Sequence, residues 1–395
     1  MGTSTIPVTK GRAPFDSNKL DAHLETAGLD VILISSRHNL RYLLGGYTFF
    51  FFDYFEAFGT SKYFPLMVYF RGQPEKTAYI GHGMESFELE LDKFWMPEVS
   101  TRAWGIQDSL TYAVQYIRDV APNLEKIGVE PDFIPLEAAL SLQKHLPATE
   151  LVNCQRPLEL LRSIKSSREL ELIKKASDDV VEAVLVAVAN SGPGITKNEL
   201  VARLAAEESK RGLSYEYCLI TAGTSLNRAP SDYVLKKGDI VSIDSGGQLQ
   251  GYIGDLCRMA IIGEPDSEQQ DLLAEVDAIQ TAARNAIKAG KLGREIYTAA
   301  NQQIRQSPNA KYMDFVAHGL GLVTHETPRL APSGFPYEPT DAERPLEKGM
   351  VISVETAIKH PRVGFIKLED TLAIEHDGTV AAYGDFGRGW TRFGS

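Results

Sequence analysis

The chain has 395 residues, 43% of them hydrophobic and 24% charged, with a formal net charge of −11 at pH 7. That length points to two domains rather than one core, and the composition is that of a globular protein. The acidic balance, with no basic run, argues against a nucleic-acid surface. Cys154, Cys218 and Cys257 lie far apart in sequence, which argues for a reducing compartment and against a disulfide frame. Met1–Lys10 carries no apolar signal core. The most apolar patch, Tyr47–Phe55, is too short to span a bilayer and contains Asp53. The expected location is therefore the cytoplasm, with no membrane and no nucleic acid as partner.

Residues 15 to about 155 read as alternating helices and strands. A helix is expected over 18–27 and a buried strand over 29–35. Strands over 63–70 and 76–80 flank the turn Arg71-Gly-Gln-Pro74. A helix over 109–120, a strand over 126–130 and a helix over 135–145 complete a three-layer α/β domain. It contains no Gly-rich phosphate loop, so no nucleotide site is expected. From about 160 the pattern changes. Ser166-Ser-Arg-Glu169 and Thr196-Lys-Asn-Glu199 are capping boxes opening helices to about 190 and 211. Ser267 is expected to cap a third helix to about 289, and a fourth follows over 293–306. Helix, helix, hairpin thus occurs twice, which suggests an internal pseudo-twofold.

The chemistry is concentrated in the two hairpins. Val241–Arg258 reads as a strand, a turn at Gly246-Gly247 and a returning strand, with Asp244 on the first strand and Asp255 on the second. Two carboxylates held together repel unless a proton or a cation sits between them. Near the C-terminus, Glu355 ends the run Val351-Ile-Ser-Val and Glu369 lies in Phe365-Ile-Lys-Leu-Glu-Asp-Thr. His318-Gly-Leu-Gly-Leu lies between the hairpins. Four carboxylates and one imidazole make a shared, oxygen-rich site for two divalent ions. Hard ligands of this kind suit Mn²⁺, Co²⁺, Zn²⁺ or Fe²⁺.

These motifs, together with Leu29–Leu44, resemble the pita-bread metallopeptidases of the methionine aminopeptidase, Xaa-Pro aminopeptidase, prolidase and creatinase superfamily. The prolidase and creatinase-like branch is the nearest. The resemblance implies a creatinase-like α/β N-terminal domain over 1–160 and an α+β pita-bread catalytic domain over 161–395. It implies Asp244, Asp255, His318, Glu355 and Glu369 as ligands of two metal ions, manganese first among them, in a homodimer. The implied activity is hydrolysis of an amide bond next to proline in a small peptide. By that resemblance, a water held by the ions would lose its proton near neutrality and attack the carbonyl. Glu355 would act as general base and then acid, and His325 would donate to the oxyanion.

Several positions depart from the family pattern. Asn227-Arg-Ala-Pro230 lacks the usual histidine, Asp314 stands where a second histidine is usual, Thr356-Ala357 replaces Pro-Gly after Glu355, and Lys367 replaces an arginine two residues before Glu369. Arg228 is either a surface arginine or the fork that holds a substrate carboxylate. Asp314 either sits beside the metal, receives a substrate cation, or is a plain polar replacement. These changes alter the wall that receives a substrate. They leave open a small non-peptide metabolite (a cyclic amidine, a guanidino compound, or a lyase substrate) and a non-catalytic binding module. Cys257 reads as a core residue. The Phe49–Phe52 run reads as core, dimer interface or an aromatic lid.

Overall fold

The computed structural model describes residues 9–59, 63–331 and 335–394. The N-terminal segment on which the signal-peptide reading rests lies almost wholly outside that range. The chain divides into two units, Met1–Leu161 and Arg162–Ser395. Among the described residues, no helix is long and apolar enough to cross a membrane.

The first unit is built on strands β1 (Val31–Ile34), β2 (Leu66–Phe70), β3 (Ala78–His82), β4 (Glu98–Ala103), β5 (Lys126–Val129) and β6 (Glu150–Asn153), in the order β4-β3-β2-β1-β5-β6. Helices α1 (Ser17–Thr26), α2 (Arg37–Leu43), α3 (Ile106–Val120), α4 (Leu136–His145) and α5 (Gln155–Arg162) accompany the sheet. β1 and β2 are buried along their whole length, as continuous apolar runs in a doubly covered sheet should be. The sequence signal for β4 and β6 was weak because both are polar and partly exposed. Two buried acids organise this unit. Glu130 accepts from the Ser35 and Ser36 amides, the Ser36 hydroxyl and the Asn39 amide. Glu85 accepts the hydroxyls of Tyr47, Tyr63 and Tyr79. In the aromatic run, Phe49 and Phe51 are core residues, the first tilted against the Tyr63 ring and the second edge-on to it, while Phe50 is exposed.

The second unit contains two similar halves. The first is α6 (Ser167–Ala189), α7 (Lys197–Lys210), β7 (Ser214–Ala222), β8 (Ile240–Leu249) and β9 (Tyr252–Ile262). The second is α8 (Ser267–Ala286), α9 (Arg294–Ile304), β10 (Met313–Gly319), β11 (Val351–His360) and β12 (Gly364–Ile374). The strand order is β10-β11-β12-β9-β8-β7, with β13 (Val380–Tyr383) on β12 and β14 (Thr391–Phe393) on β9. The expected pseudo-twofold is therefore present, and the halves meet where β9 lies against β12.

The capping boxes at Ser166 and Thr196 are formed. The third helix starts one residue earlier than expected: Asp266, not Ser267, is the cap, because its carboxylate accepts the Gln269 amide and outcompetes the serine. It ends at Ala286, short of the expected 289.

The first hairpin turns at Gln250-Gly251, both with positive φ, and not at Gly246-Gly247. Gly246 and Gly247 remain in the ladder, opposite Asp255 and Gly254. They are glycines for want of space: a Cβ on Gly246 would lie 2.4 Å from the Tyr217 ring.

Candidate metal centre

One row of the ladder explains the site. Asp244 on β8 pairs with Cys257 on β9, Cys257 pairs with Glu369 on β12, and Glu369 pairs with Glu355 on β11. Directly opposed residues share a face of a sheet, so this row brings three acids together across four strands. Asp255 precedes Cys257 by two and shares its face. It opposes Gly246, so the two aspartates of the first hairpin are diagonal neighbours rather than facing each other. His318 opposes Ser353, two residues before Glu355, and joins the same face from β10. The opposite face is tied down by Asp370, which takes Arg258, Arg284 and Arg388. Gln280 of α8 also reaches Asp370 and the Val354 carbonyl. Arg258 donates to the Glu369 carbonyl at 2.8 Å, fixing the backbone behind the cluster.

All five side chains expected as ligands therefore converge. Asp244, Asp255, His318 and Glu369 are buried, and Glu355 is partly open. Asp255, His318 and Glu369 form one compact group of potential ligand atoms, and His318, His325 and Glu355 form another. His318 Nδ1 lies 3.2 Å from the Gly319 carbonyl, which leaves Nε2 aimed at the acids. Nε2 is 3.7 Å from both Glu355 Oε1 and Glu369 Oε1, too far for a hydrogen bond. His318 Nε2 and Asp255 Oδ1 are both buried without a hydrogen-bond partner. Buried orphans of this kind are costly and mark the place a cation completes. Burial, Glu369 and Asp244 together push the Asp255 carboxyl well above its usual range. For His318, burial alone would lower the pKa, but Glu369 and Glu355 outweigh it and bring it up to about 9. Both shifts are those of a site short of positive charge. The residues thus fit a divalent ion at Asp255, His318 and Glu369, with Glu355 beside it.

The Asp244 side differs. Lys367 Nζ lies 2.6 Å from Asp244 Oδ2, 2.5 Å from Glu355 Oε2 and 2.8 Å from Glu369 Oε2. Arg228 is ion-paired to the same Asp244 oxygen, and its guanidinium lies over the Phe365 ring. Burial pushes the Asp244 carboxyl up and Lys367 pulls it down, with a net rise to about 6. Burial would raise Glu369 as well, but Lys367 and His318 hold it well below the usual carboxylate range. A second ion does not fit where the Lys367 ammonium already stands.

His325 stacks on His318 with centroids 3.8 Å apart, and its Nδ1 is 2.8 Å from the Tyr337 hydroxyl. Burial and His318 lower its pKa to about 3, so it is a neutral imidazole at neutral pH. Asp314 is not part of the cluster. It lies half-exposed, roughly 13 Å along β10 from His318, paired with Lys359 at 2.5 Å. Cys257 is fully buried in the middle of the row, with its sulfur 3.3 Å from the Ser242 hydroxyl. Sequence reasoning treated Lys367 only as a departure from a pattern. Its position two residues before Glu369 on a strand was the signal that it shares the ligand face. Lys165, Glu326 and Tyr337 were not singled out at all.

A buried cluster of acids and one histidine, gathered where two similar half-sheets meet, is a divalent-metal centre of the metallohydrolase kind. The chain belongs to metallopeptidase family M24, which matches residues 171–376, and a Creatinase/Prolidase N-terminal domain matches residues 17–164. It is 25% identical over 373 residues to the Xaa-Pro dipeptidase of Pyrococcus horikoshii, covering 91% of this chain and 94% of that one. The solved Xaa-Pro dipeptidase from Bacillus anthracis has a TM-score of 0.78 at 23% identity, covering 95% of this chain and 98% of the other. The X-Pro aminopeptidase from Thermotoga maritima gives 0.76 at 21% identity, covering 95% and 99%. The last two likenesses establish the two-domain fold.

Proposed function

We propose that the chain is a metal-dependent hydrolase that cuts an amide bond next to proline in a small peptide. The observation that carries this reading is the pair of buried orphan atoms, Asp255 Oδ1 and His318 Nε2, at the acid cluster of a family M24 chain. The names of its relatives supply the substrate class. A divalent ion, manganese being our first choice, supplies a Lewis acid there and lowers the pKa of a water.

The chain's own residues carry the remaining work. Glu355 is the most open acid of the cluster, with its side chain 17% exposed, and is placed to take and return a proton. His325 stays neutral. In the tautomer in which Tyr337 donates to Nδ1, the proton on Nε2 would donate to a developing oxyanion. Lys367 holds the Glu355 and Glu369 carboxylates in position. Arg228 is engaged by Asp244, so it serves the acid cluster before any substrate carboxylate. The proposal extends to a cytoplasmic homodimer, supported by the three buried, unpaired cysteines for the compartment and by the family resemblance for the dimer.

The test is hydrolysis of a panel of Xaa-Pro dipeptides by metal-stripped protein, before and after adding Mn²⁺. Turnover that appears only with metal is expected. A folded, metal-loaded protein inert on the whole panel would remove the peptide substrate and leave the small-metabolite reading.

A further inference from the structure

The two sides of the acid cluster have different partners. On one side, Asp255 Oδ1 and His318 Nε2 are buried without a hydrogen-bond partner. On the other, Asp244 has two cations, Lys367 and Arg228. The Lys367 side chain is only 3% exposed, and its ammonium is within 2.8 Å of oxygens from Asp244, Glu355 and Glu369. That is the environment of a coordinated cation, met here by an ammonium. A divalent ion and this ammonium cannot share the place, because buried like charges repel strongly. The charge balance agrees. With Asp255 ionised and His318 neutral, as metal ligation requires, the carboxylates of Asp244, Asp255, Glu355 and Glu369 face Lys367 and Arg228, which leaves two negative charges, the complement of one divalent ion.

We propose that Lys367 is a built-in cation standing in for one of the two metal ions, so that the centre holds a single ion at Asp255, His318 and Glu369. This deepens the metal-centre reading above and rests on it. The lysine ammonium itself holds the Asp244 and Glu355 carboxylates together. The ammonium's length and charge both matter: a neutral side chain of similar length opens the Asp244 position to an ion.

The test counts ions. Metal-stripped protein is titrated with Mn²⁺, freed of excess, and measured by elemental analysis, calorimetry and electron paramagnetic resonance. The intact chain is expected to retain one Mn²⁺ with an uncoupled hyperfine pattern. Lys367→Met is expected to retain two, with the spectrum of a coupled pair. Asp244→Asn in the otherwise intact chain is expected to leave the count at one. Two ions in the intact chain would overturn the lysine inference and leave the metal centre standing. No bound ion at all would overturn both. A count that stays at one in Lys367→Met, or falls to zero in Asp244→Asn, also overturns the inference. Should Lys367→Met fail to fold, the intact chain and Asp244→Asn decide the matter.

Discussion

Lys165 Nζ donates to Glu326 Oε1 across 2.7 Å, between residues 161 apart in sequence whose side chains are each 1% exposed. Arg162 Nη2 takes the other oxygen at 3.1 Å. Glu326 directly follows His325, so this buried pair anchors the segment that presents the imidazole. Burial alone would raise the Glu326 pKa, but Lys165 and Arg162 outweigh it and hold it below the ordinary 4.5. Glu326→Gln removes the buried negative charge that faces Lys165 and Arg162 and should cost about 3–5 kcal/mol, read from urea unfolding. Because the folded pKa is depressed, the stabilisation is present above about pH 4.5 and is lost as pH falls through the folded value. The gap between the two proteins should therefore close on acidification. Equal stability at pH 7 would refute the anchoring role.

Glu208 behaves in the opposite sense. It is buried on α7 with the Ser245 hydroxyl at 2.9 Å, and burial raises its pKa from 4.5 to about 8. A raised folded pKa means stability that is full below pH 4.5 and declines as pH rises through about 8. Glu208→Gln, which mimics the protonated acid, should flatten that decline. Parallel stability curves for the two proteins from pH 5 to 8.5 would show that Glu208 is not the group responsible.

Gly254 has no room for a side chain. A Cβ there would lie 2.6 Å from the Ala176 carbonyl carbon and the Ser177 nitrogen in the backbone of α6. Helix backbone cannot yield as a side-chain tip can, so Gly254→Ala should destabilise by about 1–3 kcal/mol. It also displaces the neighbouring Asp255, so Mn²⁺ affinity should fall in step. Unchanged melting temperature and affinity would contradict the close packing.

His325→Gln removes the neutral imidazole while leaving the ligand residues in place. If it donates to an oxyanion, kcat on a Xaa-Pro dipeptide should drop by about 100-fold with little change in KM or in Mn²⁺ binding. A loss confined to KM would reassign His325 to substrate binding.

Glu369→Ala deletes the residue that meets His318, Lys367 and Ser353 together. Mn²⁺ retention should vanish while far-ultraviolet circular dichroism stays native. Undiminished retention would move the centre away from Asp255 and His318.

Much of this was legible in advance, for local reasons. The capping boxes at Ser166 and Thr196 are short-range hydrogen-bond patterns, and both formed. The acid-bearing strands announced themselves by apolar runs around Asp244, Asp255, Glu355 and Glu369. The repeated order of elements signalled two halves. The polar strands β4 and β6 were not legible, because their pairing comes from neighbours rather than from their own residues. The turn was misplaced because a Gly-Gly pair answers to crowding as readily as to a bend, and only the tertiary neighbour Tyr217 distinguishes the two.

The sequence by itself determined which chemical groups this protein owns and which strands carry them: four acids and a histidine in two hairpin halves, with a lysine two residues before the last acid. Only the tertiary structure decided what those groups meet. Register across β8, β9, β12 and β11 aligns Asp244, Cys257, Glu369 and Glu355 in one row. It also carries the Lys367 ammonium into contact with three acids and leaves Asp314 with Lys359. The physical reason is that a strand's alternation assigns a side chain to a face, whereas its partner across the sheet is set by pairing with other segments, which lie more than a hundred residues apart where β9 meets β12.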